Sequence, residues 1–91
     1  MTARRVLISG RVQGVGFRDW LVSQARRRGV HGWVRNRRDG SVEALLHGDA
    51  AALADLLQLC RAGPPHARVD DLAEHPADPP AEVGFRRLPT E

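Results

Sequence analysis

The sequence predicts an α+β sandwich: two helices on one face of a mainly antiparallel sheet, in the order β-α-β-β-α-β, with an extra short C-terminal strand. Three observations lead there. Apolar and β-branched runs alternate with segments whose apolar residues follow the helical period. Two of the strand-like runs are separated only by turn residues. One helix-like segment precedes that hairpin and another follows it, which is the split βαβ order. A length of 91 residues allows one hydrophobic core, so a single domain over residues 1–91 is expected.

Each element has its own signal. "RRVLISGRV", residues 4–12, is β-branched and reads as the first strand. Residues 13–17 form a glycine loop, and "FRDWLVSQARRRG", 17–29, reads as a helix. Phe17, Leu21 and Ala25 recur at a spacing of four and make one apolar stripe. Arg26, Arg27 and Arg28 fall in the last turn, where the helix dipole favours positive charge, and Gly29 is suited to a left-handed stop. "HGWVRN", 31–36, and "SVEALLH", 41–47, are strands joined through "RDG".

The register of that hairpin follows from side-chain segregation. A three-residue loop, Arg38 to Gly40, pairs Val34 with Ala44. Val34, Asn36, Val42, Ala44 and Leu46 then share one face, and Arg35 opposes Glu43 on the other. A two-residue loop would set Val34 beside Leu45 and mix the faces. The odd loop is therefore predicted, with a bulge at Gly40, and it carries Asn36 to the end of the core-side face.

"DAAALADLLQLCRAG", 49–63, reads as the second helix, with Asp49 as N-cap and Leu53, Leu56, Leu57 and Cys60 on its apolar stripe. Gly63-Pro64-Pro65 ends it. "ARVDDLAEH", 67–75, is a partly polar fourth strand, "PADPPA", 76–81, a linker, and "EVGFRRL", 82–88, a last strand with Val83 and Phe85 in alternation. No repeat or second domain is visible.

Composition narrows the function. Hydrophobic content of 42% with 27% charged residues argues against disorder. All fourteen basic residues counted by the net charge of +3 are arginines, a mild bias towards anionic ligands. A single cysteine, Cys60, rules out an intrachain disulfide, and its place on the leucine stripe predicts burial. No apolar run approaches the ~18 residues of a membrane span, and the N-terminus does not read as a signal peptide. Cytoplasmic residence is the resulting expectation, with no membrane partner. His31, His47, His66 and His75 are scattered without metal-ligand spacing, so no metal is expected.

Gly14 and Gly16 stand before the first helix, with Arg18 just inside it. A helix start leaves N–H groups unpaired and carries partial positive charge. Glycines accept positive φ and let loop N–H groups turn inward, making an anion cradle to which Arg18 adds a two-pronged donor. Spacing alone describes a tight turn and a solvated arginine equally well. Nucleotide motifs fail: position 19 is Asp where the dinucleotide fingerprint needs a third glycine, and there is no G-x-x-x-x-G-K-[ST]. Asparagine near a hairpin often only caps a turn, so Asn36 is open in the same way.

"GRVQGVGFRDW", then "GVHGWVRNRRDGSVEALLHGD", then "GPPHARVDDL", resembles the acylphosphatase family from Gly10 to about Leu72. The resemblance implies a ferredoxin-like α/β sandwich, in agreement with the element order. It implies hydrolysis of the carboxyl–phosphate bond of small acyl phosphates, to carboxylate and inorganic phosphate. The phosphoryl group would be bound by the loop Gln13, Gly14, Val15, Gly16, Phe17 and Arg18. Arg18 would grip its oxygens, and Asn36 would orient the attacking water. No metal or organic cofactor is implied, a monomer is expected, and inorganic phosphate should inhibit weakly as product. The chain lacks the tyrosine that often ends family members, which bears on the packing of the last strand. Asp19 follows the key arginine, but about 100° of helix rotation should carry it away.

The chemistry is consistent with these residues. Phosphoryl transfer asks mainly for positioning and charge stabilisation. An acyl leaving group departs as carboxylate and needs no strong acid. No histidine or carboxylate is expected to cluster with the loop, and Asn36 is too weak to be a base. A nucleic-acid module of the same outline is disfavoured, because the aromatic pattern of RNA-binding sheets is missing.

Overall fold

The computed structural model describes all 91 residues. Its elements are β1 (Thr2–Arg11), α1 (Phe17–Arg27), β2 (His31–Asn36), β3 (Val42–Gly48), α2 (Ala50–Ala62), β4 (Arg68–Pro76) and β5 (Phe85–Arg87). They form one five-stranded sheet in the order β4-β1-β3-β2-β5. The pairs β1–β3, β1–β4 and β2–β3 are antiparallel, and only β2–β5 is parallel. Both helices lie on one face, α1 against β2 and β5, α2 against β3 and β4. This is the ferredoxin-like α+β sandwich expected, with the extra C-terminal strand.

The core sits between that face and the helices. Val6, Ile8, Val34, Val42, Ala44 and Leu46 come from the sheet, and Phe17, Leu21, Ala25, Leu53, Leu56 and Cys60 from the helices, all buried. The stripe read at spacing four on α1 is the buried one. Cys60 is buried as expected, and burial pushes its thiol up to about 12. Trp20 partly covers the core, its ring edge-on to Phe17 with centroids 5.4 Å apart. No helix is long and apolar enough to cross a membrane.

The hairpin has the predicted register. Val34 pairs with Ala44, Arg35 with Glu43 and Asn36 with Val42. Beyond them the Arg37 N–H donates to the Ser41 carbonyl at 2.8 Å, and Gly40 takes φ +94°. Asp39 closes the loop by accepting from the Ser41 N–H and hydroxyl, which hold its carboxyl below the usual range.

Asp49 stands at the predicted N-cap of α2, its side chain making no capping hydrogen bond, and the bounds of the last two strands are corrected. The last strand is shorter than 82–88, running only from Phe85 to Arg87. Val83 is 86% exposed while Phe85 is buried, because Gly84 at φ +94° breaks the alternation between them. The fourth strand reaches Pro76, which an edge strand tolerates because its missing N–H leaves no interior ladder bond unmade.

The C-terminal segment is well tied without a tyrosine. Phe85 enters the core and its carbonyl accepts from Arg26 Nη2 at 3.1 Å. The Gly84 N–H donates to His31 Nδ1 at 2.8 Å. Past β5 the chain keeps following β2: the Leu88 N–H meets the Val34 carbonyl at 2.8 Å and the Glu91 N–H meets that of Asn36 at 3.0 Å.

Candidate active site

β1 runs into the loop at Val12, and α1 begins at Phe17 with Gly16 as its N-cap. Gly14 and Gly16 have φ +73° and +77°, the left-handed region that glycine enters without strain. The first helical bond joins the Trp20 N–H to the Gly16 carbonyl at 3.0 Å. The N–H groups of Phe17, Arg18 and Asp19 therefore lie in the stretch where a helix leaves its donors free.

This helix start opens onto a cavity of about 170 Å³ lined by Val12, Gly14, Gly16, Phe17, Arg18, Asp19, Asn36 and Arg87. Arg18 and Asn36, distant in sequence, thus meet across one small space. Arg18 is half-buried, pairs with no carboxylate, and donates once within the chain, from Nη1 to the Leu88 carbonyl at 3.3 Å. The rest of its donor fan is left for a ligand. The Asn36 side-chain amide has no hydrogen bond inside the protein and no buried unsatisfied atom, so its polar atoms are open to solvent, and the residue lines the cavity.

The loop residues divide. Gly14, Gly16, Phe17 and Arg18 border the cavity, and Phe17 is also buried in the core. Gln13 and Val15 do not line it. Val15 packs on the core instead. Gln13 turns to the hairpin, where Nε2 donates to the Arg37 carbonyl at 2.7 Å and the Ser41 carbonyl at 2.8 Å. That clamp joins the loop to the strand end bearing Asn36.

The other face of the sheet braces the same strand end. Glu43 is 2% exposed. Its carboxylate accepts from Arg5 and Arg35, each at 2.7 Å, and from Arg37 at 3.1 Å. Burial alone would raise its pKa, but the Arg5 and Arg35 hydrogen bonds outweigh it and the net shift is downward. Arg35 also stacks over Trp33, 4.7 Å from the ring, so Trp33 lies on the outer face near an arginine. Both neighbours of Asn36 are held from behind.

Asp19 departs from expectation. It borders the cavity rather than pointing away, and its carboxylate pairs with Arg87 at 2.7 Å. The cavity wraps the end of α1, so successive residues of the first turn reach it despite their angular separation. The expectation of no carboxylate beside the loop is corrected accordingly. Arg87 was not legible as a site residue. It reaches the cavity because β5 pairs in parallel with β2, setting Arg87 beside Val34 on the helix-bearing face. His31 and His47 are cross-strand neighbours, with rings 6.4 Å apart. No group of three or more His, Cys, Asp or Glu side chains comes together to hold a metal ion.

Free N–H groups at a helix start, a half-buried arginine and a neutral amide share one preference, a tetrahedral oxyanion with a water beside it. The class defined by fold and cavity is a small α+β domain whose helix-start cavity can accept an anion. The acylphosphatase family model matches residues 4–87. An acylphosphatase of Acidiphilium cryptum is 58% identical over 90 residues, covering 99% of both chains. The crystal structure of acylphosphatase from Bacillus subtilis superposes with a TM-score of 0.92 at 35% identity, over 97% of this chain and 99% of that one. A structure of an acylphosphatase from Coxiella burnetii gives 0.91 at 31% identity, over 96% and 92%. The chain belongs to the acylphosphatase family, and it is a hydrolase.

Proposed function

We propose that this acylphosphatase cleaves the carboxyl–phosphate bond of small acyl phosphates with Arg18 and Asn36 as its catalytic residues. The observation that carries the reading is their convergence on one cavity at a glycine-rich helix start. The loop Gln13 to Arg18 holds the phosphoryl group, with the free N–H groups at the start of α1 donating to its oxygens. Arg18 adds full charge where charge develops in the transition state. Asn36 holds water for in-line attack at phosphorus, turning an encounter into an oriented reaction. The P–O bond to the acyl group breaks, the leaving group departs as carboxylate, and the water's proton passes to the phosphate. Gln13 acts through the hairpin and not on the substrate.

The protein works as a cytoplasmic monomer without metal or organic cofactor, on a free small molecule and not on nucleic acid. Supporting the monomer, the only exposed large hydrophobic residues are Met1 and Val83, too few for an extensive apolar interface.

The test is hydrolysis of benzoyl phosphate at neutral pH with EDTA, in wild type, Arg18→Ala and Asn36→Ala. Wild type should turn over, and each variant should lose about 10²–10³ in rate while still folding. A folded wild type with no turnover would overturn the reading. Full activity in either variant would remove that residue from the mechanism.

A further inference from the structure

The Asp19–Arg87 pair is an unexplained feature of the cavity. A site for a bare phosphoryl group needs neither residue, and a carboxylate at its wall opposes an incoming anion. Arg87 cancels that charge, but with a side chain 47% exposed and a partner 71% exposed. Ion pairs this open to water hold weakly and exchange readily. Only Nη1 of Arg87 is engaged, at 2.7 Å. The remaining guanidinium donors are free, fixed in a plane, and suited to a second carboxylate or phosphate.

Placement gives the pair a direction. Arg18 comes from the helix start, is half-buried, and is anchored on the Leu88 carbonyl at 3.3 Å. Arg87 comes from the neighbouring edge strand, one residue before Leu88, and is exposed. The two arginines thus line the same cavity from different elements, Arg18 half-buried and Arg87 exposed. A phosphoryl group held by Arg18 presents its acyl substituent towards the mouth. We propose that Arg87 is a specificity-determining residue that binds an anionic group on the acyl part of the substrate, with Asp19 positioning it. The preferred substrates are then acyl phosphates carrying a second negative charge, as in phosphorylated dicarboxylic acids. This rests on the proposed phosphoryl-binding role of the cavity.

Two stable probes separate the charges. Ethylphosphonate offers a phosphoryl-like group alone, and 3-phosphonopropionate is the same molecule with a terminal carboxylate. Inhibition constants against benzoyl phosphate are measured for wild type, Arg87→Gln, Arg87→Lys and Asp19→Asn, with binding repeated by calorimetry. Wild type should prefer 3-phosphonopropionate by about tenfold, the scale of one charge-assisted hydrogen bond near a surface. Arg87→Gln should abolish the preference, Arg87→Lys should keep part of it, and Asp19→Asn should change its size. Equal affinities in wild type would overturn the proposal. So would a preference that survives in Arg87→Gln. A parallel loss of both ligands in that variant would also overturn it, showing that Arg87 grips the phosphoryl group. Calorimetry reads these outcomes even where benzoyl phosphate is not turned over, so a failure of the catalytic reading is seen separately.

Discussion

The side-chain amide of Gln13 donates to the main-chain carbonyl of Arg37 at 2.7 Å, tying the glycine loop to the residue after Asn36. A second N–H of the same amide reaches the Ser41 carbonyl at 2.8 Å. Both acceptors lie at the turn end of the β2–β3 hairpin, flanking its loop. One side chain therefore ties the glycine loop to the strand end that carries Asn36.

Gln13→Ala should lower kcat for benzoyl phosphate by about tenfold, since small misplacements of catalytic groups carry costs of this order or greater. The effect should fall on kcat more than on KM, because Arg18 and the helix start are untouched. Steady-state kinetics alongside thermal unfolding checks this. A change confined to stability would limit Gln13 to a structural role.

Glu43 links acid to stability. Its pKa is lowered in the fold from the ordinary 4.5. Its contribution is thus full above that value and disappears as pH falls through the lower folded value. Glu43→Gln should cost about 1–3 kcal/mol at pH 7, towards the low end because the arginine partners are 20–42% exposed. Urea unfolding of both proteins from pH 7 to pH 3 should show the gap closing below the ordinary carboxylate pKa. A gap that is constant with pH would show that the charge is not what Glu43 contributes.

Two glycines should respond unequally to alanine. A Cβ at Gly14 meets nothing within 4 Å, so only the positive φ opposes it, at about 1–2 kcal/mol. At Gly32 the Cβ would fall on the Leu45 main-chain carbonyl, within the β2–β3 ladder. Gly32→Ala should cost more than ~4 kcal/mol or prevent folding. Denaturant titration of the two variants gives the order directly.

Cys60 should be chemically silent. With its thiol pushed up to about 12 and its side chain buried, almost no thiolate exists at pH 8. An aromatic disulfide reagent should leave the native protein unlabelled and titrate it fully in denaturant. Rapid labelling under native conditions would mean that α2 opens far more readily than its packing indicates.

The sequence was most legible where the deciding forces are local. Residues 31–36 form a strand with the predicted bounds, Gly32 and Val34 buried on the core side and His31, Trp33 and Arg35 only partly covered on the other. The hairpin register followed from one requirement, that apolar side chains share a face, and it placed Asn36 before any distance was known. Gly14, Gly16 and Arg18 were readable because glycine's tolerance of positive φ and the donors of a helix start are properties of a few consecutive residues. Val12 borders the cavity as well, and its place at the strand end was the only hint. Val83 misled because alternation was extended across Gly84, whose φ of +94° ends it.

By itself, the sequence determined the order of elements, the core stripe of α1 and the hairpin register, while Arg18 and Asn36 were singled out for catalysis by the resemblance of their motifs to the family. Each follows from periodicity, turn chemistry or a motif contained in one short stretch. Tertiary structure alone decided that Gln13 clamps the hairpin, that Glu43 gathers Arg5 and Arg37 besides Arg35, and that Asp19 and Arg87 meet at the cavity rim. These contacts join residues up to 68 positions apart. They depend on which strands become neighbours in the sheet, and above all on the parallel pairing of β5 with β2. No local pattern encodes that pairing; it is fixed when the core closes around Phe85.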